Sequence, residues 1–444
     1  MRIDTSMRVV VVGLGKTGYS VARYLLERGV VVSVTDTRAV PPELSRLRAA
    51  YPQVLVRCGG LDERLLQDAT LVVVSPGLAS HGGFFDAARA RGLAIVGDIE
   101  LFARATRAPV VGITGTNGKS TVTTLLAQMA ARAGVTVRAG GNLGAPALDL
   151  LDEAAGLYVL ELSSFQLEST DSLALKAATV LNVTPDHMDR YPDLAVYAAV
   201  KARIYARCDT AVINLDDPLV AAMGGSAPRR LSFSLRAGVG ADYALEQRDG
   251  DWQLMRRGQP LLALREMRIG GMHNAANALA ALALGEALGL PDAAMLEELQ
   301  QFPGLAHRTQ WVADVRGVRY VNDSKGTNVG ATVAAVAGMT GPLLLIAGGD
   351  GKGQDFTPLR AAFAGKVRRV LLIGRDAPAL AAALAGVCEL EFCADLAAAV
   401  AAAARAARAG DTVLLSPACA SLDMFRDYAH RGTVFTEAVR GLAA

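Results

Sequence analysis

Short, fully apolar runs alternate along nearly the whole chain with Ala- and Leu-rich stretches of helical period, and most of the runs end in glycine or polar residues. That alternation predicts parallel strands joined by crossover helices, because strands covered on both faces read as continuous apolar runs rather than alternating ones. Residues 8–12 predict a first strand, followed by Gly13-Leu14-Gly15-Lys16-Thr17-Gly18, a helix to about Gly29, a strand over Val30–Val34, and further runs at Leu71–Val74 and near Ile95–Gly97. A second series begins after Pro109 with an apolar run from Val110 that breaks into a glycine-rich loop, followed by strands predicted at Val135–Arg138, Tyr158–Leu160, Ala178–Val183 and Ala211–Asn214. Residues 241–269 change to short alternating segments, which predict an antiparallel excursion before a strong helix at Met272–Leu288. The pattern resets near Phe302-Pro303-Gly304, and a third series follows with runs at Trp311–Val315, Arg319–Val321, Leu343–Ala347, Val370–Ile373 and Thr412–Leu415. The expectation is an α/β protein of three domains, spanning residues 1–98, 99–303 and 304–444: a Rossmann-like first domain, a central parallel-sheet domain with a phosphate loop, and a Rossmann-like third domain. No repeat of solenoid period stands out.

Composition narrows the function classes. The 444 residues are 52% hydrophobic and 20% charged, which fits a globular chain, and the net charge of +2 with no basic tail argues against nucleic acid and anionic membrane as partners. No stretch has the length and apolarity of a signal peptide or membrane span, so a cytoplasmic protein without membrane insertion is expected. The five cysteines are scattered without metal-ligand spacing and read as small buried side chains. Of 45 basic residues only seven are lysine, at positions 16, 119, 176, 201, 325, 352 and 366. Since ammonium and guanidinium are not interchangeable, a lysine kept in a glycine- or acid-rich setting points to a site that needs a compact or deprotonatable cation.

Three clusters carry chemistry. Gly115-Thr116-Asn117-Gly118-Lys119-Ser120-Thr121 breaks from an apolar strand into a helix and reads as a phosphate cradle, with Lys119 reaching outer phosphates and Ser120 able to hold magnesium, although Ile113 stands where the usual pattern has glycine. Gly13, Gly15, Gly18 and Asp36 match a dinucleotide signature, which leaves a nicotinamide-dependent oxidoreductase open. Strand ends bring Gly140-Gly141-Asn142, Glu161 and Asp186-His187 toward the cradle; Glu161 suits magnesium, and His187 reads either as a second ligand or as a structural strand-end histidine. Asn274 and Asn277 share a helix face, as caps or as ligand contacts, and Lys201 on its helix reads as a solvated surface residue or as functional. Asp323 and Lys325 flank a turn and Lys352 sits among glycines after a strand; the two lysines read as oxyanion clamps or as solvated loop residues.

Taken together these motifs resemble the Mur ligase family over all three domains. The similarity rests on Gly115–Ser120, on Glu161-Leu162-Ser163-Ser164-Phe165-Gln166, on Asp186-His187-Met188-Asp189-Arg190-Tyr191 and on His273-Asn274-Ala275-Ala276-Asn277. Asn322-Asp323-Ser324-Lys325, Gly348-Gly349-Asp350-Gly351-Lys352 and Ser416–Phe425 are similar to the branch of the family that adds D-glutamate. The resemblance implies an ATP-dependent ligase of cytoplasmic peptidoglycan synthesis that joins D-glutamate to UDP-N-acetylmuramoyl-L-alanine through an acyl phosphate. It implies ATP contacts at Gly115, Thr116, Asn117, Gly118, Lys119, Ser120, Thr121, Asn274, Asn277, Arg308, Asp323 and Lys325. The dinucleotide signature becomes a UDP site formed by Leu14, Thr17, Asp36, Thr37, Arg38, Ser75, Gly77 and Asn142. His187, Thr327, Lys352, Ser421 and Tyr428 would receive D-glutamate, with tyrosine standing where the family pattern implies phenylalanine. Two magnesium ions are implied, on Ser120, Glu161, His187 and a carbamylated Lys201, with Lys119, His187, Lys201 and Asn142 as the catalytic set. The expected partners are these small molecules alone, and the expected state is a monomer. A sibling ligase joining another amino acid or a folate, and a nucleotide-binding regulator without turnover, remain the rivals.

Overall fold

The computed structural model describes residues 3–248, 250–339 and 341–442. Its strands form three sheets that follow one another along the chain. The first is wholly parallel, in the spatial order Leu55–Cys58, Val31–Asp36, Arg8–Val12, Leu71–Val74, Ala94–Val96. The glycine-rich turn after its central strand packs tightly: a Cβ on Gly18 would lie 1.8 Å from the Gly13 carbonyl oxygen, so only glycine lets this helix start against the strand end.

The second sheet has nine strands. Val110–Thr114 lies inside it between Leu175–Val180 and Leu157–Glu161, and every residue of Val110–Thr114 is buried because helices cover both faces. Val137–Gly141 closes one edge; on the other side Cys208–Asn214, Arg229–Ser234 and Tyr243–Arg248 continue parallel before Asp251–Arg256 and Gln259–Ala263 turn antiparallel. Helix Lys119–Arg132 shares one apolar core with helix Met272–Leu288, through Val122, Leu125 and Met129 on the first and Ala275, Leu279 and Leu282 on the second.

The third sheet has the order Gln310–Val315, Val318–Asn322, Thr412–Leu415, Leu343–Gly348, Val367–Ile373, Glu389–Phe392, with only the first pair antiparallel. Three strands go beyond the expected set: the half-exposed edge strand Leu55–Cys58, the polar Arg229–Ser234, and Glu389–Phe392, whose short exposed pattern lacks a continuous apolar run. The expected strand at Val135–Arg138 runs instead over Val137–Gly141, because parallel pairing with Leu157–Glu161 carries two glycines that read locally as loop.

Candidate active site

The loop after Val110–Thr114 is held from outside. Thr116 N–H donates to the Asn182 carbonyl (2.9 Å), Asn117 N–H to Asn182 Oδ1 (2.8 Å), and Thr184 N–H to Thr116 Oγ1 (3.0 Å). Gly118, with φ +85°, precedes the helix, and a Cβ there would lie 2.5 Å from Asn277 Oδ1. Lys119 curls back so that Nζ donates to the carbonyls of Gly115 and Thr116, both at 2.8 Å. Burial and its neighbours together lower its pKa, with Glu161 and Asp186 opposing. The arrangement is a ring of backbone groups and one ammonium at a helix N-terminus, suited to an anion.

Beside it runs a continuous polar chain. Ser120 Oγ donates to Glu161 Oε2 (2.7 Å), Asn142 Nδ2 donates to Glu161 Oε1 (2.7 Å), and Lys325 Nζ, reaching over from the third sheet, donates to Ser120 Oγ (3.0 Å) and to Tyr428 Oη (3.2 Å). Burial alone would raise the Glu161 pKa, but Lys119, Lys325 and the bonds from Ser120 and Asn142 hold it below the usual carboxylate range. Burial, reinforced by Arg308 and opposed by Glu161, pushes Lys325 down to about 8.

Lys201 is 1% exposed despite its place on a helix: Nζ donates to the Gly115 carbonyl (3.1 Å) and lies 4.5 Å from the centre of the Tyr197 ring. Burial, with Lys119 adding repulsion, holds its pKa well below that of an ordinary lysine and favours a neutral amine. His187 takes φ +58° with its ring against Phe165 (4.9 Å) and Nε2 3.8 Å from Asp186 Oδ2; burial lowers its pKa. Among the described residues no three His, Cys, Asp or Glu side chains gather into a metal cluster. The donor set fits magnesium nonetheless, since a hydroxyl and a carboxylate in contact beside a phosphate loop are hard oxygens of the kind that ion takes while keeping water or phosphate for its other positions.

Two hollows flank this chain. A cavity of about 280 Å³ is lined by Asn117, Gly118, Thr121, Asn274, Asn277, Arg308, Asp323 and Lys325 from the expected ATP set. Gly271, not an asparagine, occupies the cap of its helix; Asn274 Nδ2 donates to the Gly270 carbonyl (2.8 Å) and Asn277 Nδ2 to Asn274 Oδ1 (3.3 Å). Arg308 Nε is buried with no hydrogen-bond partner, and burial lowers the guanidinium pKa against the pull of Glu161 and Asp323. Burial also raises Asp323 to about 6, although Ser416 Oγ donates to it at 2.8 Å. Phe233 lines the same cavity without a signal that marked it, and so does His273, which belongs to the family motif His273–Asn277 but carries no implied contact of its own.

The second hollow, a cleft of about 450 Å³ between the first and second sheets, is lined by Thr17, Thr37, Arg38, Ser75, Gly77 and Asn142. Leu14 and Asp36 stand behind this wall, not in it. Leu14 is fully buried, and Asp36, 1% exposed, accepts from Leu14 N–H (2.7 Å) and from Arg38 N–H, Nε and Nη2 (2.8, 2.9 and 2.7 Å), so its oxygens hold the loop and have none to spare for a ribose. Lys16 and Gln166 line the cleft unexpectedly.

In the third sheet's loops, Lys352 lies with Nζ 3.8 Å from Asp186 Oδ1, which brings it near His187, and Asn328 Nδ2 contacts both Asp186 Oδ2 (3.4 Å) and Asn117 Oδ1 (3.3 Å). Thr327 N–H donates to the Lys325 carbonyl, and the buried Ser421 opens a turn whose carbonyl accepts from Phe425 N–H (2.8 Å). Tyr428 lies against Lys325, its hydroxyl 3.2 Å from Nζ. Arg431 was not marked by any pattern: it is 1% exposed and ties two loops together, through Ser324 Oγ (3.0 Å), the Ser324 carbonyl (2.8 Å) and the Cys419 carbonyl (3.1 Å). In a chain whose usual cation is arginine, one more on a helix carries no signal.

Family models match at three places: a Mur ligase MurD-like N-terminal domain over residues 7–97, a Mur ligase middle domain over 113–285, and a Mur ligase glutamate ligase domain over 307–419. The chain is 54% identical over 434 residues to the UDP-N-acetylmuramoylalanine–D-glutamate ligase of Nitrosococcus oceani, covering 97% of this chain and 96% of that one. It is 51% identical over 441 residues to the enzyme of the same name from Methylococcus capsulatus, covering 99% and 96%. Among solved structures it is similar in fold to a pseudomurein peptide ligase type C from Methanothermus fervidus (TM-score 0.64, 17% identity, covering 98% of this chain and 100% of that one). A UDP-N-acetylmuramate-alanine ligase from Thermotoga maritima is similar to the same degree (TM-score 0.62, 19% identity, covering 98% and 99%).

Proposed function

The chain belongs to the Mur ligase family, and from that premise we propose that the polar chain between the two hollows is where it joins D-glutamate to UDP-N-acetylmuramoyl-L-alanine with ATP. The observation that carries this reading is the bonded series Asn142–Glu161–Ser120–Lys325, which sets a group from the cleft, one from the phosphate loop and one from the third sheet within a few ångströms of one another.

ATP lies with its base and ribose in the cavity at Asn274, Asn277, Arg308 and Asp323 and its phosphates on the loop Gly115–Thr121. Lys119 leaves the loop carbonyls for the outer phosphates, which offer it charge in place of neutral oxygens. The unpartnered Arg308 Nε supplies a further donor on the cavity wall. UDP occupies the cleft against Thr17, Thr37, Arg38, Ser75 and Gly77, placing the substrate's carboxylate toward Asn142. That carboxylate attacks the γ-phosphorus, ADP leaves, and the amine of D-glutamate then displaces phosphate from the acyl phosphate to form the amide. Thr327, Lys352 and Ser421 hold the two carboxylates of D-glutamate near His187. Catalysis of the first step is positioning and charge neutralisation.

Ser120 and Glu161 would hold one magnesium ion, and His187 with Lys201 a second, supplying positive charge to the transferring phosphoryl group. Burial favours the neutral amine of Lys201, which is the form that adds carbon dioxide, and the resulting carbamate would add a carboxylate to this side of the site beside Asp186. The chain divides into three working units at residues 98/99 and 303/304, and acts as a monomer.

The test is ADP release with UDP-N-acetylmuramoyl-L-alanine, with and without D-glutamate. Sustained turnover is expected only with all three substrates. Turnover supported equally by another amino acid would overturn the assignment.

A further inference from the structure

Lys325 has three N–H donors and two of them are engaged, one by Ser120 Oγ at 3.0 Å and one by Tyr428 Oη at 3.2 Å. The ammonium also lies 4.6 Å from the centre of the Tyr428 ring. Tyr428 is the first residue of the helix Tyr428–Gly441, whose start is fixed twice. Asp427 caps it by accepting from His430 N–H (2.7 Å), and the Tyr428 carbonyl accepts from Ser324 Oγ (2.8 Å), next to Lys325 in the chain. Arg431, one turn on, grips Ser324 from the other side. The hydroxyl therefore sits on a rigid mount, while a lysine side chain left alone spreads over many rotamers.

We propose that Tyr428 is a positioning residue: its hydroxyl and ring face together hold the Lys325 ammonium against Ser120, so that the third N–H is presented to the phosphoryl group carried between ATP and the substrate carboxylate. This rests on the functional reading above and deepens it, because it moves Tyr428 from the D-glutamate pocket to the phosphoryl-transfer centre. Phenylalanine at 428 would keep the ring face and lose the hydroxyl, which separates the two contributions.

A hydrogen bond to a charged group, lost without a cavity, should slow the reaction about 5- to 20-fold. Tyr428→Phe is expected to lower kcat by that factor, with the KM for D-glutamate and the thermal midpoint unchanged. In a Lys325→Met background the same substitution should have no further effect, since the partner is gone. Single-turnover ADP formation provides this cycle if the Lys325→Met enzyme is too slow for steady-state rates. An unchanged kcat, an effect that multiplies fully with that of Lys325→Met, or a raised KM for D-glutamate at constant kcat would each overturn the proposal. Failure of the unmodified protein to release ADP in response to D-glutamate would instead count against the functional reading itself.

Discussion

Two carboxyl groups, two positions apart on the helix Asp98–Ala105, show how little residue type alone decides. Asp98 is 1% exposed with Oδ1 unpartnered and only Gln166 Nε2 donating to its other oxygen at 3.1 Å; burial raises its pKa to about 6. Glu100 is as deeply placed, and burial pushes it upward too, but the N–H groups of Ser172 and Asp171, the Ser172 hydroxyl and Arg104 bring it down to about 2. The signs of their linkage are therefore opposite. Asp98, with a folded pKa above its unfolded one, favours the fold at low pH and becomes a burden as pH rises through about 6. Glu100 supports the fold above its unfolded pKa and loses that support as pH falls toward about 2. Thermal melts should show Asp98→Asn more stable than the parent at pH 7.5 by about 1–2 kcal/mol, with the gain gone near pH 4. Glu100→Gln should be less stable at pH 7.5 by about 1–3 kcal/mol, the gap closing only below pH 4. A pH-independent difference in either variant would refute the corresponding assignment. Nothing in the sequence separates these two acids, because what separates them is a loop some seventy positions away that the fold brings alongside.

At the scale of elements, the strands legible in the sequence are those covered on both faces, such as Val110–Thr114 and Leu343–Gly348, where every position is apolar, small or buried. The edge strand Leu55–Cys58 is not legible because half its residues face water, and Val137–Gly141 reads partly as loop because glycine signals a turn unless a neighbouring strand claims it. The helix Leu194–Ala202 shows the converse. Its lysine looks solvated by pattern, yet Tyr197 and Lys201 both face inward and the side chain ends under the phosphate loop. If Lys201 works as a carbamate, Lys201→Ala should lose at least about 100-fold in turnover, on the scale of removing a charged group from a phosphoryl-transfer site, and regain part of it with added short carboxylic acids. Parent-like activity in the untreated variant would exclude an essential role, and a dead variant that acids do not restore would exclude the carbamate.

For the whole molecule, the polar contacts between the third unit and the second are single pairs, Lys325 to Ser120, Asn328 to Asn117 and Asp186, and Lys352 to Asp186, beside the approach of helix Val329–Gly338 to helix Met272–Leu288. No periodic pattern encodes such pairs, so the sequence shows the three units but not how they meet. The connection is backbone of unusual conformation, with Gly304 at φ +81°, His307 at +62° and Thr309 at +46°. Positive φ in non-glycine residues costs about 1 kcal/mol or more each, and a segment of this kind can trade one conformation for another as a hinge. The ligand-free protein is expected to populate a more open arrangement, so X-ray scattering should give a smaller radius of gyration when ATP analogue and UDP substrate are both present; superimposable profiles would argue against a hinge. The scarcity of lysine has a consequence of a different kind. Lys16 borders the cleft, and Lys119, Lys201, Lys325 and Lys352 border the reacting region, leaving only Lys176 and Lys366 elsewhere among the seven. An amine-selective covalent probe applied to this chain therefore gives a short, readable pattern: the exposed Lys176 and Lys366 should label with or without substrates, whereas labelling of Lys16, Lys325 and Lys352 should fall when substrates fill the site.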